Sequence, residues 1–217
     1  AVEGIELSGT YAVQPPANAG QFLHISGKWE GTRSSFRSRL TAVGAIHPAE
    51  PYQSLLTLER AVQIWLDQPI GELAHPIPPE GKLDAALHGS QVAALFNQVQ
   101  LAETGADFSC TSLGNDPVGL ASPVTMRGVT AAYLFANTLV VLEVTEEVLR
   151  QTLERCAAYF TLVDGQPQIS EEFLLPKVEH YNYDFYAGLA YTFDLRRPVG
   201  SRVVRLAKLD GSPLGGG

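Results

Sequence analysis

The chain has 217 residues, 45% of them hydrophobic, with a formal net charge of −8 and a pI near 5.1. That is enough for one sizeable core, while an acidic chain without a long basic run is poorly suited to gripping long nucleic acids through their phosphates. No run reaches the roughly 18 apolar residues of a membrane span, and Cys110 and Cys156 make neither a disulfide framework nor a zinc spacing.

The opening, AVEGIELSGTYAVQPP, reads as a cut inside a larger protein rather than as a signal peptide. In residues 1–47, Ile5 and Leu7 alternate with polar residues. Residues 21–26 and 33–40 are short strand-like pieces separated by Gly and Ser. Edge strands or a hairpin are expected there, too small to build a core alone. The breaker His47-Pro48-Ala49-Glu50-Pro51 follows. Residues 52–67 predict a helix with Leu55, Leu58, Val62 and Trp65 on one face, ended by Gln68-Pro69-Ile70-Gly71. The proline-rich stretch AHPIPPEG is a loop. Residues 90–103 predict a second helix, with Ser90 as cap and Val92, Leu95, Phe96 and Val99 on its apolar face.

Residues 106–112 predict a short strand, and Leu113-Gly114-Asn115-Asp116-Pro117-Val118-Gly119 a loop whose two glycines would let backbone approach a ligand. It has neither a GxGxxG spacing nor a P-loop lysine. The run 138–144, TLVVLEV, is apolar enough to predict a strand buried on both faces. Thr145 is placed to cap the next helix, with Glu146 and Glu147 facing the positive end of its dipole. Val148, Leu149, Thr152, Leu153, Cys156, Ala157 and Phe160 recur at helical spacing. Just before the run lie Phe135 and Asn137. An aromatic and an amide at the mouth of a buried strand could stack on and hydrogen-bond a flat ligand; the alternative is a core phenylalanine and a turn-forming asparagine. Asp164-Gly165 marks a turn. Residues 176–184 read as an ordered aromatic loop, 188–195 and 202–206 as strands, and GSPLGGG as a tail.

Chemistry of its own is hard to find in the chain. The five histidines are scattered without a metal-ligand spacing. No nucleophile elbow or Cys–His signature stands out, and the carboxylates are too dispersed to nominate an acid–base pair. The residues by themselves describe a binding domain.

Five segments occur in order across residues 104–202: Thr104-Gly105-Ala106-Asp107, Val124-Thr125-Met126-Arg127, Phe135-Ala136-Asn137-Thr138-Leu139, PKVEHYNYD from Pro176, and RPVGSR from Arg197. Together they resemble the C-terminal domain of the 5′-nucleotidase family, with YNYD and RPVGSR pointing to the bacterial branch of 2′,3′-cyclic-nucleotide 2′-phosphodiesterase/3′-nucleotidases. Upstream, VQPPANAGQFLHISGKW resembles the closing strands of that family's metallophosphoesterase domain, and residues 52–73 its interdomain helix and the entry to the C-terminal domain.

The resemblance implies an α+β fold, a mixed sheet with packed helices. Residues 1–47 would be a small β remnant of the preceding catalytic domain, 48–69 an interdomain helix, and 70–217 the substrate-binding domain. It implies two divalent metals, activating water for attack on phosphorus, in an N-terminal domain whose motifs are not found here. No catalytic residue, metal ligand or cofactor is therefore expected in this chain, which alone should be inactive. Phe135 matches the family's first base-stacking aromatic and Asn137 its nearby polar contact. Asn115, Asn182 and Asp184 join them as expected base or ribose contacts by motif position and polarity. The expected partners are a nucleoside or nucleotide and the chain's own metallophosphoesterase domain, in a secreted, periplasmic or cell-wall-associated parent.

Three departures bear on this. Pro117 stands where 5′-nucleotidases carry an arginine, which favours the cyclic-nucleotide branch, and Ala85 and Ala86 stand where other phosphate-side arginines are expected. The family's second stacking aromatic belongs to a segment downstream of the 202–206 strand, and GSPLGGG precedes any such segment. Two alternatives stay open: an interaction domain that has lost nucleotide binding, and the C-terminal domain of a plain 5′-nucleotidase.

Overall fold

The computed structural model describes residues 5–7, 10–12, 20–31, 33–44, 50–135 and 137–214. The expected breaker at His47 and Pro48 and the last three tail residues lie outside them. The chain divides into two compact units, residues 1–60 and 61–217.

The first unit is made of ribbons. β1 (Ile5–Leu7) pairs with β2 (Thr10–Ala12), and β3 (Gln21–Glu30) pairs antiparallel with β4 (Arg33–Ala42) in continuous register from Gln21↔Ala42 to Glu30↔Arg33. The two strand-like pieces are thus the arms of one long hairpin. Its period-2 alternation puts Leu23, Ile25 and Trp29 on one face, with Phe36 and Leu40 across from them. The Phe36 ring covers Gly27, so a Cβ there would run into it. α1 (Glu50–Leu66) crosses from the first unit into the second.

The second unit is α+β. β5 (Pro69–Gly71), read from the sequence as a helix stop, pairs with β7 (Val124–Thr125). α2 (Lys82–His88) was not evident in the sequence. α3 (Gln91–Thr104) and β6 (Ser109–Ser112) follow, and then α4 (Met126–Ala132) continues from β7. α5 (Glu146–Ala157) leads into the hairpin of β8 (Phe160–Val163) and β9 (Gln166–Ile169). β10 (Asp184–Ala187) pairs with β6, and β11 (Leu189–Phe193) with β12 (Val203–Lys208). The strands are distributed over small antiparallel pairs.

The helix starts follow capping chemistry. Ser90 accepts from the Ala93 amide at 3.2 Å, Thr125 from Gly128 at 3.2 Å and Thr145 from Val148 at 3.3 Å, each satisfying a donor the helix cannot. α5 stops at Ala157 rather than running on to Phe160. The turn at Asp164 and Gly165, both at positive φ, folds the chain back so that Phe160 pairs with Ile169.

The expected strand at 138–144 is not one. The segment has no ladder partner, and its apolar side chains are open, with Leu142 72% exposed. A β-branched run favours a pleated surface only where a neighbouring strand offers its amides and carbonyls. Here Leu139–Val144 and Phe108–Cys110 of the β6 approach line a common cavity of about 550 Å³ instead. α3 differs in the same region. Val99 is exposed, while the polar Asn97 is fully buried, donating to the Phe185 carbonyl at 2.9 Å and accepting from Ser109 at 2.8 Å. That side chain ties α3 to both β6 and β10, and its burial is tolerable because its polar atoms are partnered.

The main core is aromatic. The Tyr159 ring lies 5.1 Å from Phe173 and 4.9 Å from Tyr183, and the Tyr183 hydroxyl donates to the Ala86 carbonyl at 3.0 Å, holding α2. Beside it Arg202 is buried. Its guanidinium donates to the carbonyls of Ala157 at 2.8 Å, Phe160 at 2.7 Å and Arg197 at 3.0 Å. The Glu154 carboxylate accepts from the amides of Arg202 and Val203, at 2.9 and 2.6 Å. Replacing Arg202 with methionine keeps the stem but strands these carbonyls. Arg202→Met should lower the unfolding free energy by about 3 kcal/mol, read as a lower urea midpoint at unchanged slope. A midpoint equal to that of the parent chain would show that the carbonyls find other donors.

Candidate functional site

Three pieces of chain meet around a shallow hollow of about 50 Å³: the 113–119 loop, the segment after α4, and the turn at 180–182. Its lining includes Gly114, Asp116, Phe135, Asn137 and Tyr181. Phe135 is 66% exposed, with its own carbonyl accepting from the Asn137 amide at 2.8 Å. Of the five residues expected to contact a ligand, Phe135 and Asn137 therefore border one hollow.

The other three do not line it, and each has attachments of its own. Asn115 donates through its side-chain amide to the Val178 carbonyl at 2.9 Å, latching the 113–119 loop to the 176–182 loop. Its Oδ1 is enclosed without a hydrogen-bond partner among the described residues, a costly state for a polar atom. Asn182 donates to the Glu179 carboxylate at 2.9 Å, within its own turn. Asp184 begins β10, where burial raises its carboxyl pKa. It lines, with Asn137, a separate and mostly apolar cavity of about 700 Å³ between α3, β6 and α4.

The two loop glycines have different uses. A Cβ on Gly119 would collide with the Ile77 carbonyl oxygen, where Ile77 and Leu120 exchange two hydrogen bonds of 2.8 Å. The close approach expected of this glycine is thus to backbone. Arg127, in the Val124–Arg127 segment, is likewise engaged within the fold, donating to Asp67 and Gln63 at 2.7 Å each.

The sequence reading missed a charged group behind the hollow. Lys82, the first residue of α2, donates to the Gly114 carbonyl. Burial lowers its pKa to about 8, against the pull of Asp116. A cation at a helix N-terminus opposes the dipole, but with α2 itself not evident in the sequence no local signal marked this lysine. His180 shares a 2.8 Å hydrogen bond through Nδ1 with the Tyr159 hydroxyl, whose pKa burial raises to about 12. The His180 pKa is lowered first by burial and then by the Lys82 charge, with Asp116 opposing.

Among the described residues no three His, Cys, Asp or Glu side chains converge as a metal site. No described helix is long and apolar enough to cross a membrane.

The second unit is an α+β fold with an aromatic and an amide side chain at a small hollow. Residues 69–215 match the family 5′-nucleotidase, C-terminal domain, and the chain belongs to this family of hydrolases. A stretch of 100 residues, 44% of the chain, is 32% identical to the 2′,3′-cyclic-nucleotide 2′-phosphodiesterase/3′-nucleotidase of Haemophilus influenzae, of which it covers 15%. The fold is similar to that of a Staphylococcus aureus protein assigned as a candidate 5′-nucleotidase and solved in complex with alpha-ketoglutarate. The TM-score is 0.76 at 28% identity, over 94% of this chain and 41% of that one. A 5′-nucleotidase precursor from Thermus thermophilus shares the fold at TM-score 0.54 and 21% identity, over 90% of this chain and 38% of its own. The chain thus spans well under half the length of these relatives.

The charge triad yields a test. Lys82→Met should raise the His180 pKa and Asp116→Asn should lower it further, read from the histidine ring protons by NMR titration. Because the folded pKa lies below the ordinary value of 6.5, His180 supports folding fully above that value. The support is lost as pH falls through the folded pKa. A titration unmoved in both variants would mean the three groups are not coupled.

Proposed function

We propose that this chain is the nucleoside-gripping domain of a longer metal-dependent phosphohydrolase acting on 2′,3′-cyclic nucleotides and 3′-nucleotides. The observation that carries this reading is an exposed Phe135 beside Asn137, at a hollow on a domain of the 5′-nucleotidase family. An apolar ring held open to solvent has no packing role to explain it, and it offers a π-face that any base can use. The cyclic-nucleotide assignment is supported by the Haemophilus relative and by Pro117 in the arginine's place. The lowered lysine behind Gly114 adds positive charge near the hollow.

In this reading the chain's residues bind and orient the nucleoside, while a preceding metallophosphoesterase domain supplies two divalent metals and their activated water. No proton transfer is assigned to this chain. A parent that is secreted or periplasmic fits an enzyme acting on scavenged nucleotides. A purely interaction-mediating domain is the second reading, favoured by the open apolar run at 139–144.

One-sided stacking contributes about 1–3 kcal/mol and the Asn137 amide roughly 1 kcal/mol, against an association cost of at least about 4 kcal/mol. Adenosine should bind with millimolar affinity or weaker, and Phe135→Ala should weaken it at least about fivefold without unfolding the chain. Calorimetric titration with matched circular dichroism checks both; unchanged affinity in the variant would remove Phe135 from the site. Incubation with Mn²⁺ and a 2′,3′-cyclic nucleotide should give no turnover. Turnover that survives repurification and is abolished by a substitution in this chain would reveal a catalytic centre within it.

A further inference from the structure

We infer that the cavity between α3, β6 and α4 is a second small-molecule site, separate from the hollow at Phe135. It takes an apolar ligand that carries a protonated amine, anchored by the Asp184 carboxylate. This inference goes beyond the nucleoside-gripping reading and does not depend on it.

The floor of the cavity is the β6–β10 pair. Asp184 stands opposite Ser112 and Tyr186 opposite Cys110. Side chains alternate along a strand, so these four share one face of the two-stranded sheet. Asp184, Ser112 and Cys110 all line the cavity. Its walls are aliphatic and aromatic: Leu95, Phe96 and Val99 of α3, Val129 of α4, and Leu139 and Val140 of the run that follows. A volume of about 700 Å³ is that of a small-molecule site, roughly 300–1,000 Å³, in which apolar walls surround a few polar groups. Val99, Leu139 and Val140 border the cavity yet are exposed. A ligand seated against them removes apolar surface from water, which is where its affinity would come from.

Charge selects the class of ligand. Asp184 carries the one charged side chain among the residues lining the cavity. Its carboxyl group is half-buried, and among the described residues no donor or cation reaches it. The titratable groups that feel its charge are the thiols of Cys110 and Cys156 and the phenols of Tyr183 and Tyr186, all shifted upward by burial. None of them supplies a positive charge. A carboxylate in apolar surroundings is costly until it is paired, and an ammonium brings both the counter-charge and N–H donors. A fatty acid or a phosphate ester would instead meet repulsion from Asp184 and find no cation on the walls. The site therefore excludes the anionic nucleotides assigned to the neighbouring hollow, although Asn137 borders both.

The test is NMR titration of the full 217-residue chain at neutral pH with phenethylamine, phenethyl alcohol and hydrocinnamate, which share an aromatic body and differ in head group. The amine should shift the methyl resonances of Val99, Leu139 and Val140 and bind at least about fivefold more tightly than the alcohol. Hydrocinnamate should bind most weakly. Asp184→Asn should bring the amine to within about twofold of the alcohol, with circular dichroism confirming the fold. Saturating adenosine should leave the bound amine in place. An amine no tighter than the alcohol, or methyls unmoved by all three probes, would overturn the inference on the parent chain alone. A preference for the amine that persists in folded Asp184→Asn would remove Asp184 as the anchor. Displacement of the amine by adenosine would merge the cavity with the hollow and overturn a second site.

Discussion

The guanidinium of Arg202 is the contact on which the second unit most depends. A buried cation is tolerable only when its donors are satisfied, and here they meet the carbonyls of Ala157, Phe160 and Arg197. Ala157 is the last residue of α5, where the helix leaves carbonyls without partners and its dipole is negative. One side chain thereby ends the helix, receives the β8 strand and anchors β12. Glu154 completes the joint by accepting the amides of Arg202 and Val203. The RPVGSR segment carries part of the family resemblance, and its final arginine is a structural residue.

From that joint the order passes to the loops around the hollow through the aromatic cluster. Tyr159 follows α5 directly and packs on Phe173 and Tyr183. Its hydroxyl reaches His180 at the start of the 180–182 turn. Asn115 then links that loop to the one containing Gly114 and Asp116, and Lys82 supports the second loop from behind. The hollow is thus shaped by loops, two of which are tied to the rest of the unit by a hydrogen bond from a partly or fully buried side chain, Lys82 to Gly114 and Tyr159 to His180. Such support lets a small, open site hold its geometry.

The apolar run 138–144 stands apart from this network. It leads from Asn137 at the hollow to Thr145 at the cap of α5, with its side chains turned largely to solvent and to two cavities. Exposed aliphatic residues in sequence are uncommon on a folded surface. This run connects the segment at the hollow to the helix that Arg202 secures.

What was legible in the sequence was local. The Ser90 and Thr145 caps, the helices they start, the Asp164-Gly165 turn and the strand-like pieces at 21–26 and 33–40 depend on neighbours a few residues away, and each appears in the structure. The family was legible because its motifs keep their order along the chain. Tertiary structure decided everything that needed a distant partner. TLVVLEV is strand-like in composition, but a strand exists only if another accepts its hydrogen bonds. Asn97 reads as a polar surface residue until Phe185 and Ser109 supply its partners, 88 and 12 positions away. Lys82, Tyr181 and Asp116 carry no shared spacing that marks them as neighbours. Only the folded loops bring them around Phe135 and Asn137, because a binding site is defined by convergence in space rather than by periodicity along the chain.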